Sequence, residues 1–192
     1  MIDGNSKGGF SLSKESIKKN KNYLDALLDN IADVSIEHLV KQYESGCDTL
    51  MIFESWAGLV DFKDKKDILY RPVEKIINSL KKRKIKAPII VFPKGLGTRI
   101  TDYIKNVNAD VLSIDYNIDI NWILKNIRKD IVLQGNLNPE LLVKGGKKLD
   151  EEVLKIKNIV GNRQHIFNLG HGLLPETPIK NVHRFIELIR RQ

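Results

Sequence analysis

The stretch Thr49-Leu50-Met51-Ile52-Phe53-Glu54-Ser55-Trp56-Ala57-Gly58 decides the fold class. Its first half, residues 49–53, is a short apolar run with no polar alternation, which predicts a strand buried on both faces. Such strands belong to parallel sheets covered by helices on each side. The run ends in a polar, glycine-bearing segment, and chemistry gathers at the carboxyl ends of parallel strands.

Downstream the alternation recurs four times. A helix over 67–82 carries Ile68, Ile76, Ile77 and Leu80 on one face and leads to a strand at 88–92. Helices at 98–106 and 120–127 lead to strands at 111–114 and 131–133. Two helical stretches, 139–144 and 151–160, precede a strand at 165–169, and a helix over 178–190 closes the pattern. Upstream, residues 1–13 read as a loop, followed by helical periodicity through Ile17, Leu24, Leu27, Leu28 and Ile31. Asp33 is placed to cap a second helix bearing Ile36, Leu39, Val40 and Tyr43, with Gly46 as its stop.

Strands separated by amphipathic helices imply right-handed parallel β-α units. The fold class is therefore α/β, and two parallel architectures compete. No G-x-G-x-x-G follows any strand, and Gly4-Asn5-Ser6-Lys7-Gly8-Gly9 lacks phosphate-loop spacing, which weakens a nucleotide-binding doubly wound sheet. A complete eight-unit barrel takes about 250 residues. The expectation is a partial (β/α)8 TIM-type barrel of about five parallel β-α units. Met1 opens into a loop with no preceding strand, so part of the barrel is expected to be missing.

The chain has 192 residues, 42% hydrophobic and 29% charged, which excludes a disordered or collagen-like chain. Cys47 is the single cysteine, so no internal disulfide can form and a reducing, cytoplasmic location is expected. No apolar run reaches the length of a membrane span, and the first ten residues lack a signal peptide's hydrophobic region. The net charge is +8, but Lys outnumbers Arg 24 to 8 and no element concentrates Arg with aromatics, so no nucleic-acid partner is expected. Lys81-Lys82-Arg83-Lys84 closes an amphipathic segment and reads as a solvated helix terminus.

Each strand runs into a distinctive segment: Phe53-Glu54-Ser55-Trp56-Ala57-Gly58, Phe92-Pro93-Lys94-Gly95, Ser113-Ile114-Asp115-Tyr116, Gln134-Gly135-Asn136-Leu137-Asn138-Pro139 and Asn168-Leu169-Gly170-His171-Gly172. Five such segments on one rim make a site. Asn138-Pro139 and Thr177-Pro178 each read as an N-cap followed by proline in the first turn. His171 stands between two glycines, which leave its ring unshielded and the backbone free to adopt conformations closed to other residues. His38, His183 and His165 are given no role. No spacing of His, Cys, Asp or Glu suggests a zinc site. Ser55 with His171 lacks a nucleophile elbow and an acidic third member, so substrate hydrogen bonding is preferred to nucleophilic catalysis.

At these segments the sequence resembles the uroporphyrinogen decarboxylase family. The stretch 53–58 is similar to the family's strand-end motif, and Gln134-Gly135-Asn136-Leu137-Asn138-Pro139 to its Q-G-N-L-D-P, with Asn138 in place of Asp. Phe167-Asn168-Leu169-Gly170-His171-Gly172, with Pro175, Thr177-Pro178 and Asn181-Val182, matches its C-terminal signature. Residues 1–192 resemble the C-terminal half to two-thirds of one family barrel domain. The family's R-x-x-R-Q-A-G-R motif and the aspartate that binds the pyrrole N–H groups have no counterpart, whereas Asp3-Gly4-Asn5-Ser6 resembles its E-G-G-G-S segment.

The resemblance implies cofactor-free and metal-free loss of four acetate carboxyls from uroporphyrinogen, giving coproporphyrinogen, in a family that forms homodimers. It also implies that Ser55 and His171 hydrogen-bond substrate carboxylates and that Phe53 packs on the macrocycle, while the catalytic aspartate lies outside this chain. An opened barrel predicts poor folding or association and little activity alone. The rival readings are a zinc-dependent corrinoid or coenzyme-M methyltransferase of the same superfamily, which Cys47 alone cannot furnish, and a non-catalytic remnant or split subunit needing an N-terminal partner.

Overall fold

The structure, a computed structural model, describes Glu15 and residues 19–190. The readings made on residues 1–13, including Asp3-Gly4-Asn5-Ser6 and the Gly4–Gly9 segment, and on Ile17 lie outside the described residues. The chain divides into two compact units, Met1–Cys47 with Asp61–Lys86, and Asp48–Val60 with Ala87–Gln192.

The first unit is built on helices α1 (Lys21–Glu44) and α2 (Arg71–Lys82), the latter continuing a π-helical turn, Lys66–Tyr70. Asn20 caps α1 by accepting from the Tyr23 N–H at 3.2 Å, and Gly46, with φ +96°, ends it as the sequence predicts. A constant offset of 46 residues pairs Lys21 with Asp67, Arg71 with Asp25, and Arg83 with Glu37, so the two helices run parallel. These pairs are partly or fully exposed, so they fix register more than they add stability. The two helices expected before residue 46 are one. Asp33 does not cap but pairs with Lys75 of α2 at 2.7 Å, and Ser35 Oγ donates back to Ile31 O inside the turn. Lys81, Lys82 and Arg83 are exposed at the end of α2, with Arg83 held by Glu37.

The second unit holds one open sheet of five parallel strands: β1 (Leu50–Glu54), β2 (Ile89–Pro93), β3 (Val111–Ser113), β4 (Val132–Gln134) and β5 (His165–Ile166). Their spatial order is the chain order, β1-β2-β3-β4-β5. That order lacks the reversal of a doubly wound sheet and is the order of a barrel, so the fold is a partial α/β barrel. Helices α3 (Ile100–Asn106), α4 (Ile120–Asn126), α5 (Pro139–Lys144), α6 (Gly146–Val160) and α7 (Ile179–Arg190) belong to the same unit.

The strands are the apolar runs of the sequence, and Val91, Leu112 and Leu133 are fully buried at their centre. Leu137, Leu142, Leu149, Val153, Phe185 and Leu188 form a second cluster joining α5, α6 and α7. Asn181 is buried in it and donates to Leu142 O and Val143 O at 2.8 and 3.0 Å, satisfying the carboxyl end of α5. Two expectations change. Strand β5 stops at Ile166, because the Leu169 N–H turns back to its neighbour Asn168 Oδ1, leaving a single bridge, Leu137 to Leu169. Helix α6 begins five residues earlier than expected, straight after Gly145 (φ +66°). No helix among the described residues is long and apolar enough to cross a membrane.

Candidate functional site

The parallel register lines up one row of side chains at the carboxyl ends of the strands. Phe53 pairs with Phe92, and Ser113 pairs with Gln134. Alternation along a strand sends residues two apart to one face, so Met51 lies beneath Phe53 while Glu54 faces away. Phe53, Phe92, Ser113, Gln134, Asn168 and His171 line a cleft of about 250 Å³. Its β1–β2 side is aromatic, with Phe53 and Phe92 edge-to-face at 6.3 Å and 88°. Its β3–β5 side carries the uncharged polar side chains of Ser113, Gln134, Asn168 and His171 beside Leu169 and Leu173.

Gln134 Nε2 donates to Ser113 Oγ at 3.2 Å and approaches Met51 Sδ at 3.8 Å, which ties three strands together across the floor. The Gly172 N–H donates to His171 Nδ1 at 2.7 Å. Beyond this row, after β3, Asp115 knits the strand-end loops. Its carboxylate accepts from the N–H groups of Gly95 and Asn117 at 2.9 and 3.0 Å. Its carbonyl accepts from Asn136 Nδ2 at 3.1 Å, and Asn136 also reaches Ile118 O at 2.9 Å. Buried polar groups without such partners would be costly, so these bonds hold the loops after β2, β3 and β4 in one arrangement.

The loop after β1 is held separately. Arg99 donates to Val60 O at 3.1 Å and Gly58 O at 2.9 Å. Gly58 packs so closely on Gly95 that a Cβ there would overlap the Gly95 carbonyl. Glu54 accepts from the Tyr103 hydroxyl on the helix side of the sheet. The residue is only partly covered, but its carboxyl lies deep beside a fully buried Tyr103. Burial pushes that carboxyl up to about 7, against the lowering effect of the Tyr103 hydrogen bond.

Of the residues singled out in the sequence, Phe53 and His171 line the cleft, with Phe53 65% exposed. Ser55 is exposed on the turn after β1 and is not among the lining residues. Asn138 caps α5 through the Glu140 N–H at 2.9 Å. Thr177 does not cap, since its Oγ1 is buried without a partner and α7 begins at Ile179. The glycines beside His171 do not take the unusual backbone conformations expected of them. Neither has positive φ; a Cβ at Gly170 would overlap the Tyr116 backbone, and Gly172 faces open space.

His165 Nε2 is buried without a partner, and burial lowers its pKa. Sequence reasoning missed Glu54, Asp115 and Gln134 individually, though all three stand in the strand-end segments it selected. Among the described residues no three His, Cys, Asp or Glu side chains are placed to share a metal ion. A larger cavity of about 560 Å³ in the first unit is lined by Asp33, Glu37, Lys82 and Arg83, but Glu37 and Arg83 already pair with each other.

A family model described as uroporphyrinogen decarboxylase (URO-D) matches residues 1–192. The chain is 38% identical over 190 residues to a protein of Rickettsia bellii named uroporphyrinogen decarboxylase, covering 99% of this chain and 56% of that one. It is 39% identical over 180 residues to the protein of that name from Orientia tsutsugamushi, covering 92% and 52%. The chain thus spans about half the length of the curated relatives it matches. Among solved structures it is similar to a methyltransferase from Methanosarcina mazei, with TM-score 0.78, 21% identity, and coverage of 92% of this chain and 51% of the other. That likeness concerns the fold.

Proposed function

The chain belongs to the uroporphyrinogen decarboxylase family, and from that premise we propose that it supplies one wall of the cleft in which uroporphyrinogen is decarboxylated to coproporphyrinogen. The observation that carries the reading is the cleft at the carboxyl ends of β1–β5, with an aromatic side and an uncharged hydrogen-bonding side. A tetrapyrrole needs both. Its rings pack on Phe53, and its acetate and propionate groups reach the donors of His171 and Ser55.

No cofactor enters the reaction. Protonation of a pyrrole carbon turns the ring into an electron sink. The bond between the methylene and its carboxyl then breaks, the electron pair moves into the ring cation, and CO2 leaves. A proton added to the exocyclic methylene makes the methyl group, and loss of the first proton from the ring carbon restores the pyrrole, so each acetate consumes one proton net. The protein holds the macrocycle, stabilises developing charge and delivers protons. The acidic group for that work lies outside this chain. The complete unit is then a whole barrel, working as a cytoplasmic homodimer, of which residues 1–192 are the C-terminal part.

The test is anaerobic incubation of uroporphyrinogen III with the purified chain, alone and with a polypeptide covering the N-terminal portion of a full-length family member. Oxidised products are then separated chromatographically. Coproporphyrin from the mixture, with little or none from the chain alone, is the expected result. Full activity from the chain alone as a monomer overturns the one-wall reading, and no product from either sample, together with no uroporphyrin binding to the chain, overturns the decarboxylase reading.

A further inference from the structure

We propose that Ser113, Asn168 and His171 form a charge-neutral carboxylate site, in which the cleft wall satisfies each side chain's acceptor and turns its donor toward the ligand. The proposal rests on the reading of this cleft as the substrate site, and it assigns roles to Ser113 and Asn168 that the sequence motifs do not.

Three hydrogen bonds carry it. Asn168 Oδ1 accepts the Leu169 N–H at 2.8 Å, which leaves the Nδ2 hydrogens to the cleft. His171 Nδ1 accepts the Gly172 N–H at 2.7 Å, so the neutral ring bears its proton on Nε2 and presents it as a donor. Ser113 Oγ accepts from Gln134 Nε2 at 3.2 Å, and its own proton is directed elsewhere. The Gln134 amide is kept in that orientation by Met51 Sδ at 3.8 Å. All three side chains line the cleft of about 250 Å³.

Wall-satisfied acceptors with free donors match one ligand chemistry, an oxygen anion with acceptor lone pairs only. Gln134 Oε1 has no donor among the described residues and is the remaining acceptor of this lining, so the anion is selected by Ser113, Asn168 and His171 and not by Gln134. No Lys, Arg, Asp or Glu is among the residues lining the cleft. Recognition by this wall is therefore directional and only weakly dependent on salt.

The experiment uses the full chain, labelled with ¹⁵N, and sodium acetate as the probe against sodium chloride. A long-range imidazole spectrum reads the His171 tautomer, with the resonance assigned by its loss in His171→Gln. Acetate is expected to shift the Asn168 Nδ2–H and His171 Nε2–H signals downfield, whereas chloride is not. Ser113→Ala is expected to weaken acetate about tenfold or more, the order of one hydrogen bond to a charged group. Asn168→Asp, an exposed and near-isosteric change, is expected to weaken it more, because it places an anion where the donor stood.

An Nδ1–H tautomer, no acetate shift, or acetate binding as tight in Asn168→Asp overturns the proposal. Uroporphyrin, titrated in parallel by fluorescence, separates the two readings. If acetate behaves as expected and uroporphyrin does not bind, the donor site stands and the tetrapyrrole reading falls.

Discussion

Phe53 and Glu54 are neighbours in β1 and face opposite sides of the sheet, one into the cleft and one toward Tyr103. The raised carboxyl of Glu54 has a consequence for stability. Its value in the fold is about 7 against a reference of 4.5, so the folded protein binds this proton more tightly than the unfolded chain does. The stability it contributes is fully present below about pH 4.5 and is lost as pH rises through 7. The full swing is about 3 kcal/mol. Glu54→Gln keeps an acceptor for the Tyr103 hydroxyl and removes the ionisation. Urea midpoints at pH 5 and pH 8 should therefore differ less in Glu54→Gln than in the parent, with the variant the more stable at pH 8. Equal pH dependence in both proteins would show that Glu54 is not the titrating group.

A second prediction at this scale concerns Asn181, whose amide satisfies two carbonyls at the end of α5. Asn181→Ala leaves both buried and unpaired, and should cost about 1–3 kcal/mol by denaturant unfolding. Asn181→Asp should cost at least as much, since it loses both donors and adds a charge.

Elements were legible where the pattern is local. All five strands and the helices between them follow from runs and periodicities of apolar residues, because a buried strand or an amphipathic helix must carry its burial in its own sequence. What failed depended on distant partners. Asp33 reads as a cap until Lys75 of another helix is beside it, and then one helix replaces two. Thr177-Pro178 has the letters of a cap, yet Thr177 Oγ1 makes no bond.

The candidate site divides the same way. The strand-end segments and His171 could be read from sequence, whereas Glu54 with Tyr103, 49 residues apart, and Asp115 with Gly95, 20 apart, exist only after folding. The loop after β1 is an element of this second kind. Arg99→Ala removes both its donations to Gly58 and Val60. The turn carrying Ser55 and Trp56 should loosen, at a cost of about 1–3 kcal/mol. Trp56 emission should shift to longer wavelength while the far-ultraviolet circular dichroism stays unchanged. An unchanged emission would mean that the Gly58–Gly95 packing alone fixes the turn.

At the scale of the molecule, the sheet is the decisive fact, because its order runs β1 to β5 and, among the described residues, no strand pairs with the outer side of either end. Such edges offer unpaired backbone N–H and C=O groups to other chains. The exposed faces of the same unit are also apolar: Phe53 is 65% exposed, Leu173 60%, Trp56 54% and Leu59 52%. Burying one large side chain of this kind yields about 1.5–3 kcal/mol, so a few of them together suffice for association. The purified chain should elute at an apparent mass that rises with concentration, and should bind a hydrophobic dye.

Phe53→Ser tests the source of that behaviour, since a side chain this exposed can be removed at little cost to the fold. Lower dye binding and a weaker concentration dependence, with an unchanged unfolding midpoint, would place the sticky surface at the cleft mouth. If association persists undiminished, the backbone edges carry it. In either case an added N-terminal portion of a family member, by covering the same edges and the same apolar mouth, should lower the apparent mass of the assemblies and the dye signal together.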